Sequence, residues 1–137
     1  MKITVTGHKG FIGSHYYNYI KDDYDSVYPY DKKNGVADNL NNITVTRNAP
    51  ECDIVVHLAA TNGTRLFYEN PTDVCINNTL PTLNLIQRYR DTNTKFVFAS
   101  TCEIFNGAID EGYYPVPTDE QVPVMFNDIT NPRWSYS

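Results

Sequence analysis

Residues 2–15, KITVTGHKGFIGSH, decide the fold of this chain. A β-branched run that is typical of a strand ends at Gly7, and Gly10 and Gly13 follow at intervals of three before an amphipathic segment. The first glycine lets the chain leave the strand, the second lets the backbone approach a pyrophosphate, and the third lets the following helix pack on the strand. The N–H groups and the positive end of that helix then face the phosphates. The pattern predicts a dinucleotide ligand; the alternative is a glycine turn that binds nothing.

Composition limits the kind of protein. The 137 residues are enough for one domain with a core, and no apolar run approaches the roughly 20 residues that span a bilayer, so we expect no membrane partner. The net charge of −5, without a basic stripe, disfavours nucleic acid. The start lacks the apolar region of a secretory signal, and the three cysteines are typical of free thiols, which favours the cytoplasm. The three histidines show no ligand spacing with them, so we expect no metal site.

The alternation of strands and helices along the chain predicts a doubly wound parallel α/β sheet. Strands are expected at 2–6, 26–30, 43–46, 53–58 and 95–100, helices at 11–21 and 71–90, and a loop or very short helix at 32–42. The remainder, to residue 128, is expected to be rich in loops. Right-handed crossovers predict the strand order 3-2-1-4-5. Ligands of such sheets bind at the carboxyl ends of the strands, where we find Gly7, Asp31, Leu58 and Thr101.

Asp31 follows the second predicted strand, in the position of a ribose-binding carboxylate. A carboxylate there accepts hydrogen bonds from the adenosine ribose diol and repels a 2′-phosphate, which favours NAD over NADP. Lys32 and Lys33 oppose that preference, because a cation beside the ribose tolerates the phosphate. The alternative is that Asp31 is simply a turn residue.

Four separated motifs resemble those of the extended short-chain dehydrogenase/reductase group, and within it the NAD-dependent epimerase/dehydratase family that acts on nucleotide sugars. Residues 6–13 (TGHKGFIG) are similar to the family's TGxxGxxG, and residues 53–60 (DIVVHLAA) to its fourth-strand motif. Residues 78–85 (NTLPTLNL) are similar to NxxGTxNL, with Pro81 replacing the usual glycine, and residues 100–105 (STCEIF) to STxEVY. The resemblance implies a Rossmann NAD-binding domain over 1–137, truncated on its C-terminal side and without the substrate domain.

The resemblance implies catalytic roles for three residues. Tyr136 matches the tyrosine of the family's YxxxK pair, which exchanges a proton with a sugar hydroxyl while C4 transfers hydride to NAD; the lysine would fall at position 140. Thr101 matches the Ser/Thr that hydrogen-bonds the reacting hydroxyl. Glu103 matches a carboxylate that assists the step after oxidation in dehydratases and some decarboxylases of the family. Cys102 stands where 4,6-dehydratases commonly carry Asp, which weakens the dehydratase interpretation. Alternatively, Thr101 caps a turn and Glu103 is a solvated turn residue.

The resemblance also implies which residues hold NAD. They comprise the glycine turn with the first helical residues, the acidic residue after the second strand, the small residues after the fourth strand and an asparagine of the long helix: Gly7, Gly10, Phe11, Ile12, Gly13, Asp31, Leu58, Ala59, Ala60 and Asn78. The alternative for Asn78 is a polar residue satisfied within its helix. Asp53 is expected to order the start of the fourth strand, and His57 to be a packed, hydrogen-bonded histidine.

These observations favour the NAD-binding portion of a nucleotide-sugar epimerase, dehydratase or decarboxylase, with the 137-residue chain itself inactive. A short NAD-binding or sensing module without chemistry is the alternative, and a decayed gene product is a third; the retention of Thr101 and Tyr136 disfavours both. A chain ending at Ser137 would leave the fifth strand as an apolar sheet edge, so we expect it to be marginal, self-associating or part of a longer protein. Family members often pair through helices, which leaves a homodimer open.

Overall fold

The computed structural model describes residues 1–131, which form two compact units. The first unit consists of Met1–Thr61 and Cys75–Ala99. The second consists of Asn62–Val74 and the described residues from Ser100 onward. The sheet and the glycine turn both belong to the first unit, while Thr101 and Glu103 belong to the second.

Four parallel strands form the sheet in the order β2-β1-β3-β4: β1 (Lys2–Thr6), β2 (Ser26–Tyr30), β3 (Ile54–His57) and β4 (Lys95–Phe98). Thr6 pairs with Tyr30 on one side and with His57 on the other, and His57 pairs with Phe98. The four carboxyl ends therefore form one row across the sheet. The predicted parallel, Rossmann-like fold class is confirmed.

The described residues form the helices α1 (Phe11–Ile20), α2 (Ile43–Arg47), α3 (Thr64–Glu69), α4 (Pro71–Tyr89) and α5 (Asn106–Asp110). Within the first unit, residues of α4 pack on one face of the sheet and residues of α1 on the other. Successive strand residues point to opposite faces, and the core divides accordingly. One apolar cluster contains Val55 with Leu40, Ala49, Cys52, Leu85 and Tyr89; the other contains Val56 with Ile3, Val5 and Ile20. No helix within residues 1–131 has the length and apolarity needed to cross a membrane.

The third strand predicted at 43–46 is wrong, because this segment forms α2. The Asn42 side chain caps the helix by accepting a hydrogen bond from Thr44 N at 3.0 Å. The buried Thr46 hydroxyl donates to the Leu40 carbonyl at 3.3 Å. A short β-branched run therefore folds as a capped helical turn, and the sheet keeps the predicted order without its third strand.

The segment after β4 contains more regular structure than the loops predicted there. Residues Cys102–Phe105 form a 3-10 helix that leads directly into α5. The backbone N–H of Gly107 donates to Met125 O at 2.9 Å, and that of Met125 donates to Ile104 O at 3.1 Å. A Cβ on Gly107 would lie 2.4 Å from the Phe126 carbonyl carbon, so the later segment packs directly on the start of α5.

β4 lies at one edge of the sheet, and all four of its residues are exposed. Phe96, Val97 and Phe98 are 37%, 52% and 57% exposed. The apolar sheet edge expected from the sequence is therefore present. The strand predicted at 95–100 ends at Phe98 in the structure, two residues before the predicted end.

Candidate functional site

The glycine turn after β1 closes tightly on the loop that follows β3. Gly7 has a φ of +71°, and a Cβ there would lie 2.7 Å from Ala59 N and 2.8 Å from the Leu58 carbonyl carbon. A Cβ on Gly13 would lie 2.1 Å from Gly7 O, so α1 rests on the turn itself. Gly10 begins the helix, and its N–H donates to Gly7 O at 2.9 Å. Gly7 and Gly13 thus have no room for a side chain.

The N-terminus of α1 has backbone N–H groups that no side chain caps. Gly10 has no side chain with which to cap the helix, and the first turn contains no acidic residue. N–H groups of the first helical turn, here those of Phe11, Ile12 and Gly13, have no partner within their own helix. The side chains of Phe11 and Ile12 are 84% and 66% exposed. An anion placed at this end of the helix would therefore contact the main chain of these two residues.

Asp31 joins the end of β2 to the glycine turn. Its Oδ2 accepts a hydrogen bond from the N–H of Lys9 at 2.9 Å. Its Oδ1 accepts a hydrogen bond from the N–H of Lys33 at 2.9 Å and so caps the N-terminus of a 3-10 helix, Lys32–Asn34. Each carboxylate oxygen retains a second lone pair for a ribose hydroxyl. The Lys33 ammonium lies 3.4 Å from Lys9 O, and the Lys32 ammonium 3.3 Å from Thr61 Oγ1. A carboxylate and two cations therefore share this corner, as the sequence indicated.

Side chains hold both ends of the loop at residues 58–61. The hydroxyl oxygen of Thr6 accepts the N–H of Leu58 at 3.2 Å and that of Ala59 at 3.1 Å. At the other end, Asn78 Oδ1 accepts the N–H of Thr61 at 2.6 Å, and Asn78 Nδ2 donates to Thr61 O at 3.1 Å. The Asn78 amide thus binds the loop from α4, rather than being satisfied within its own helix.

His57 is packed and hydrogen-bonded at both ring nitrogens, as predicted. It is 3% exposed; Nδ1 lies 2.7 Å from Thr6 Oγ1, and Nε2 lies 3.0 Å from Thr82 Oγ1. Burial lowers the pKa of His57 from 6.5 to about 4, because the charged ring loses its hydration. The ring is therefore neutral at pH 7.

A cleft of about 130 Å³ lies at the carboxyl ends of β1, β2 and β3. Six of the ten residues predicted to hold NAD line it, namely Gly7, Gly10, Asp31, Leu58, Ala59 and Ala60, whereas Phe11, Ile12, Gly13 and Asn78 do not. The sequence analysis missed the other lining residues as part of the NAD site: Tyr30, Lys32, Lys33, 38–41, Thr61, Asn77 and Pro81. The Asn41 side chain donates to Asn77 Oδ1 at 2.7 Å across 36 positions of sequence. No local pattern predicts that contact, because it depends on how α4 packs.

A larger cavity, of about 880 Å³, lies within the second unit. Thr101 and Glu103 both line it, together with Cys102. Thr101 Oγ1 also accepts the N–H of Glu103 at 3.3 Å and caps the 3-10 helix there, so the capping alternative is present. Tyr136, the third predicted catalytic residue, lies outside the described residues. Within residues 1–131, no three His, Cys, Asp or Glu side chains group as metal ligands.

Comparison with known proteins places this geometry in context. The model of the NAD dependent epimerase/dehydratase family matches residues 3–137. A putative UDP-glucose 4-epimerase of Methanocaldococcus jannaschii is 30% identical over 137 aligned positions, which cover 89% of this chain and 44% of that protein.

Solved structures share the fold. The UDP-glucose 4-epimerase of Thermus thermophilus, in complex with NAD, is 26% identical with a TM-score of 0.74, over 99% of this chain and 47% of that one. A dTDP-4-dehydrorhamnose reductase of Clostridium acetobutylicum is 21% identical with a TM-score of 0.78, over 99% and 46%. The chain thus spans less than half the length of these relatives.

Proposed function

The chain belongs to the NAD-dependent epimerase/dehydratase family, and on that premise we propose that it is the NAD-binding portion of an enzyme that acts on a nucleotide sugar. The observation that carries the proposal is the glycine turn, which leaves no room for a Cβ at Gly7 or Gly13 beneath the open N-terminus of α1. Membership of the family indicates that the cofactor is NAD, and the glycine turn is suited to bind its pyrophosphate.

The residues present fit NAD. The N–H groups of Phe11, Ile12 and Gly13 would hold the pyrophosphate, and the free lone pairs of Asp31 would accept the ribose hydroxyls. The cleft residues 38–41 are suited to the adenine end, and Ala59 and Ala60 leave room beneath the cofactor. The carboxylate supports NAD over NADP, whereas the two neighbouring lysines reduce the size of that preference.

The proposed chemistry is oxidation and reduction at a sugar carbon. NAD held by these residues would supply the acceptor for a hydride from sugar C4. Tyr136 would take the proton of the hydroxyl; the pKa of a tyrosine is ordinarily near ~10, so nearby positive charge must stabilise the phenolate. The family's lysine, at position 140, is suited to this role. Thr101 would hydrogen-bond the reacting hydroxyl, and in a dehydratase or decarboxylase Glu103 would assist the step after oxidation. Cys102 favours epimerisation over dehydration, because a thiol poorly replaces a carboxylic acid.

Calorimetric titration of the chain with NAD and NADP tests the cofactor. Asp31→Asn is expected to weaken NAD binding by roughly tenfold while weakening NADP binding less, because a charge-assisted hydrogen bond contributes about 1.5–3 kcal/mol. Asp22→Asn, at an exposed position away from the cleft, is the matched control and should bind as the wild type does. A wild-type chain that binds neither nucleotide contradicts the proposal.

Turnover is tested in a polypeptide that continues to the length of the relatives. Interconversion of UDP-glucose and UDP-galactose is the first assay, since a relative of this chain carries that activity in its name. Tyr136→Phe is expected to lower kcat by roughly 100-fold or more, whereas Tyr113→Phe, at an exposed tyrosine, should leave it unchanged. A polypeptide of these 137 residues lacks position 140 and should bind NAD without turnover. A longer form that binds NAD but transforms no nucleotide sugar would favour the binding-module alternative.

A further inference from the structure

We propose that His57 is a positioning residue for the nucleotide site. With its proton on Nε2, it orients the Thr6 hydroxyl, and that hydroxyl holds the loop of residues 58–61 against the glycine turn. Only the expected effect on NAD affinity rests on the proposed function. The tautomer and the hold on the loop rest on the geometry of the first unit.

The Thr6 hydroxyl determines which nitrogen of His57 is protonated. Its oxygen accepts the N–H groups of Leu58 and Ala59, and the Leu58 N–H is shared with Thr6 O at 3.3 Å. Because an N–H only donates, the hydroxyl hydrogen must go to another partner. Among the described residues, the remaining partner of this oxygen is His57 Nδ1, at 2.7 Å, and Thr6 is 0% exposed. Nδ1 therefore accepts and carries no proton.

The second ring nitrogen ties the same histidine to α4. A neutral imidazole has one N–H, so Nε2 carries it and donates to Thr82 Oγ1 at 3.0 Å. The Thr82 hydroxyl in turn donates to the main-chain carbonyl of Asn78 at 3.0 Å. The Asn78 side chain holds Thr61, so both ends of the loop are linked to one turn of α4.

The opposite tautomer does not satisfy these groups. With a proton on Nδ1, the ring would donate to Thr6 Oγ1, and the hydroxyl hydrogen of Thr6 would have no acceptor within residues 1–131. A buried donor without a partner is unfavourable, so the arrangement selects the Nε2–H form.

The position of this loop affects the glycine turn directly. The Thr6 hydroxyl oxygen accepts a hydrogen bond from Ala59 N. The same nitrogen would lie 2.7 Å from a Cβ on Gly7. Leu58 and Ala59 also line the cleft with Gly7. Releasing their N–H groups would therefore loosen the wall of the cleft that faces the glycine turn.

Two substitutions of His57 separate its two hydrogen bonds. Asparagine places its side-chain oxygen near the Nδ1 position and can still accept from Thr6, whereas glutamine reaches the Nε2 position and can still donate to Thr82. We expect His57→Asn to bind NAD within about twofold of the wild type, and His57→Gln to bind roughly tenfold more weakly. Thr6→Ser and Thr6→Val form a second pair, of which only the serine retains the hydroxyl. Equal losses within each pair would overturn the proposal.

Nuclear magnetic resonance tests the proposal without NAD. The ¹⁵N shifts of His57 should identify Nδ1 as the unprotonated nitrogen, and amide exchange at Leu58 and Ala59 should quicken in His57→Gln but not in His57→Asn. A proton on Nδ1, or exchange that is unchanged in His57→Gln, would overturn it. If NAD fails to bind while the tautomer and exchange behave as expected, the proposed function fails, whereas the tautomer of His57 and its hold on the loop stand.

Discussion

Acidification should destabilise this protein through His57 before the carboxylates of Asp25 and Asp128 contribute. The pKa of the buried ring is about 4 in the folded chain, against an ordinary value of 6.5. Between those values the unfolded chain binds a proton that the native state does not, so the free energy of unfolding falls as the pH falls. Each pH unit corresponds to about 1.4 kcal/mol, which gives a loss of about 2 kcal/mol by pH 5 and about 3 kcal/mol by pH 4.

Urea unfolding followed by circular dichroism at pH 7, 6 and 5 measures this loss. The carboxylates of Asp25 and Asp128 have pKa values held below 3.8, the first by the N-terminal ammonium and the second by hydrogen bonds from Thr130, so their contributions change only at lower pH. His57→Asn removes the titrating ring, and its stability should fall by about 2 kcal/mol less than that of the wild type between pH 7 and pH 5. His15→Asn, at an exposed histidine, should follow the wild type. Parallel curves for the wild type and His57→Asn would refute the reasoning.

Three further outcomes are expected. Gly13→Ala should lower the free energy of unfolding by about 1–3 kcal/mol in urea titrations, because its Cβ would overlap Gly7 O at 2.1 Å; an unchanged midpoint would contradict the packing of α1 on the turn. Asn78→Ala should cost about 1–3 kcal/mol and quicken amide exchange at Thr61, whose N–H loses a 2.6 Å partner; exchange at the wild-type rate would count against this clamp. Val97→Lys should reduce self-association in sedimentation velocity, since it charges the exposed edge strand; equal association of both proteins would show that β4 is not the contact.

Much of the first unit was predictable because its signals are local. The glycine spacing, the β-branched run before it and the apolar run of residues 54–57 each fix one element without reference to the rest of the chain. The helix α2 was not predictable in this way, because the four β-branched residues at 43–46 suit a strand as well as a capped helical turn. Its cap at Asn42 and the burial of Thr46 decide the outcome.

The missed parts of the site depend on contacts between distant segments. The hydrogen bond between Asn41 and Asn77 forms only when α4 packs beside β3. The same packing lets His57 hydrogen-bond Thr6 at one ring nitrogen and Thr82 at the other. The 3-10 helix and α5 likewise depend on Met125, which follows them by some twenty positions and bonds back to both. No spacing in the sequence encodes these contacts, so the network around the loop could not be inferred from it.

The segment between β2 and α2 has a consequence for how such a protein changes over generations. This segment follows an edge strand, β2, and Asp31 is the only buried residue among residues 31–39. Residues 31–33, 38 and 39 of the segment nevertheless line the cleft. Mutations at the exposed positions therefore reach the cleft without disturbing the core. Under the proposed function, substitutions at these positions can change nucleotide preference with little constraint from folding. A laboratory library confined to residues 32–39 should retain a high proportion of folded variants.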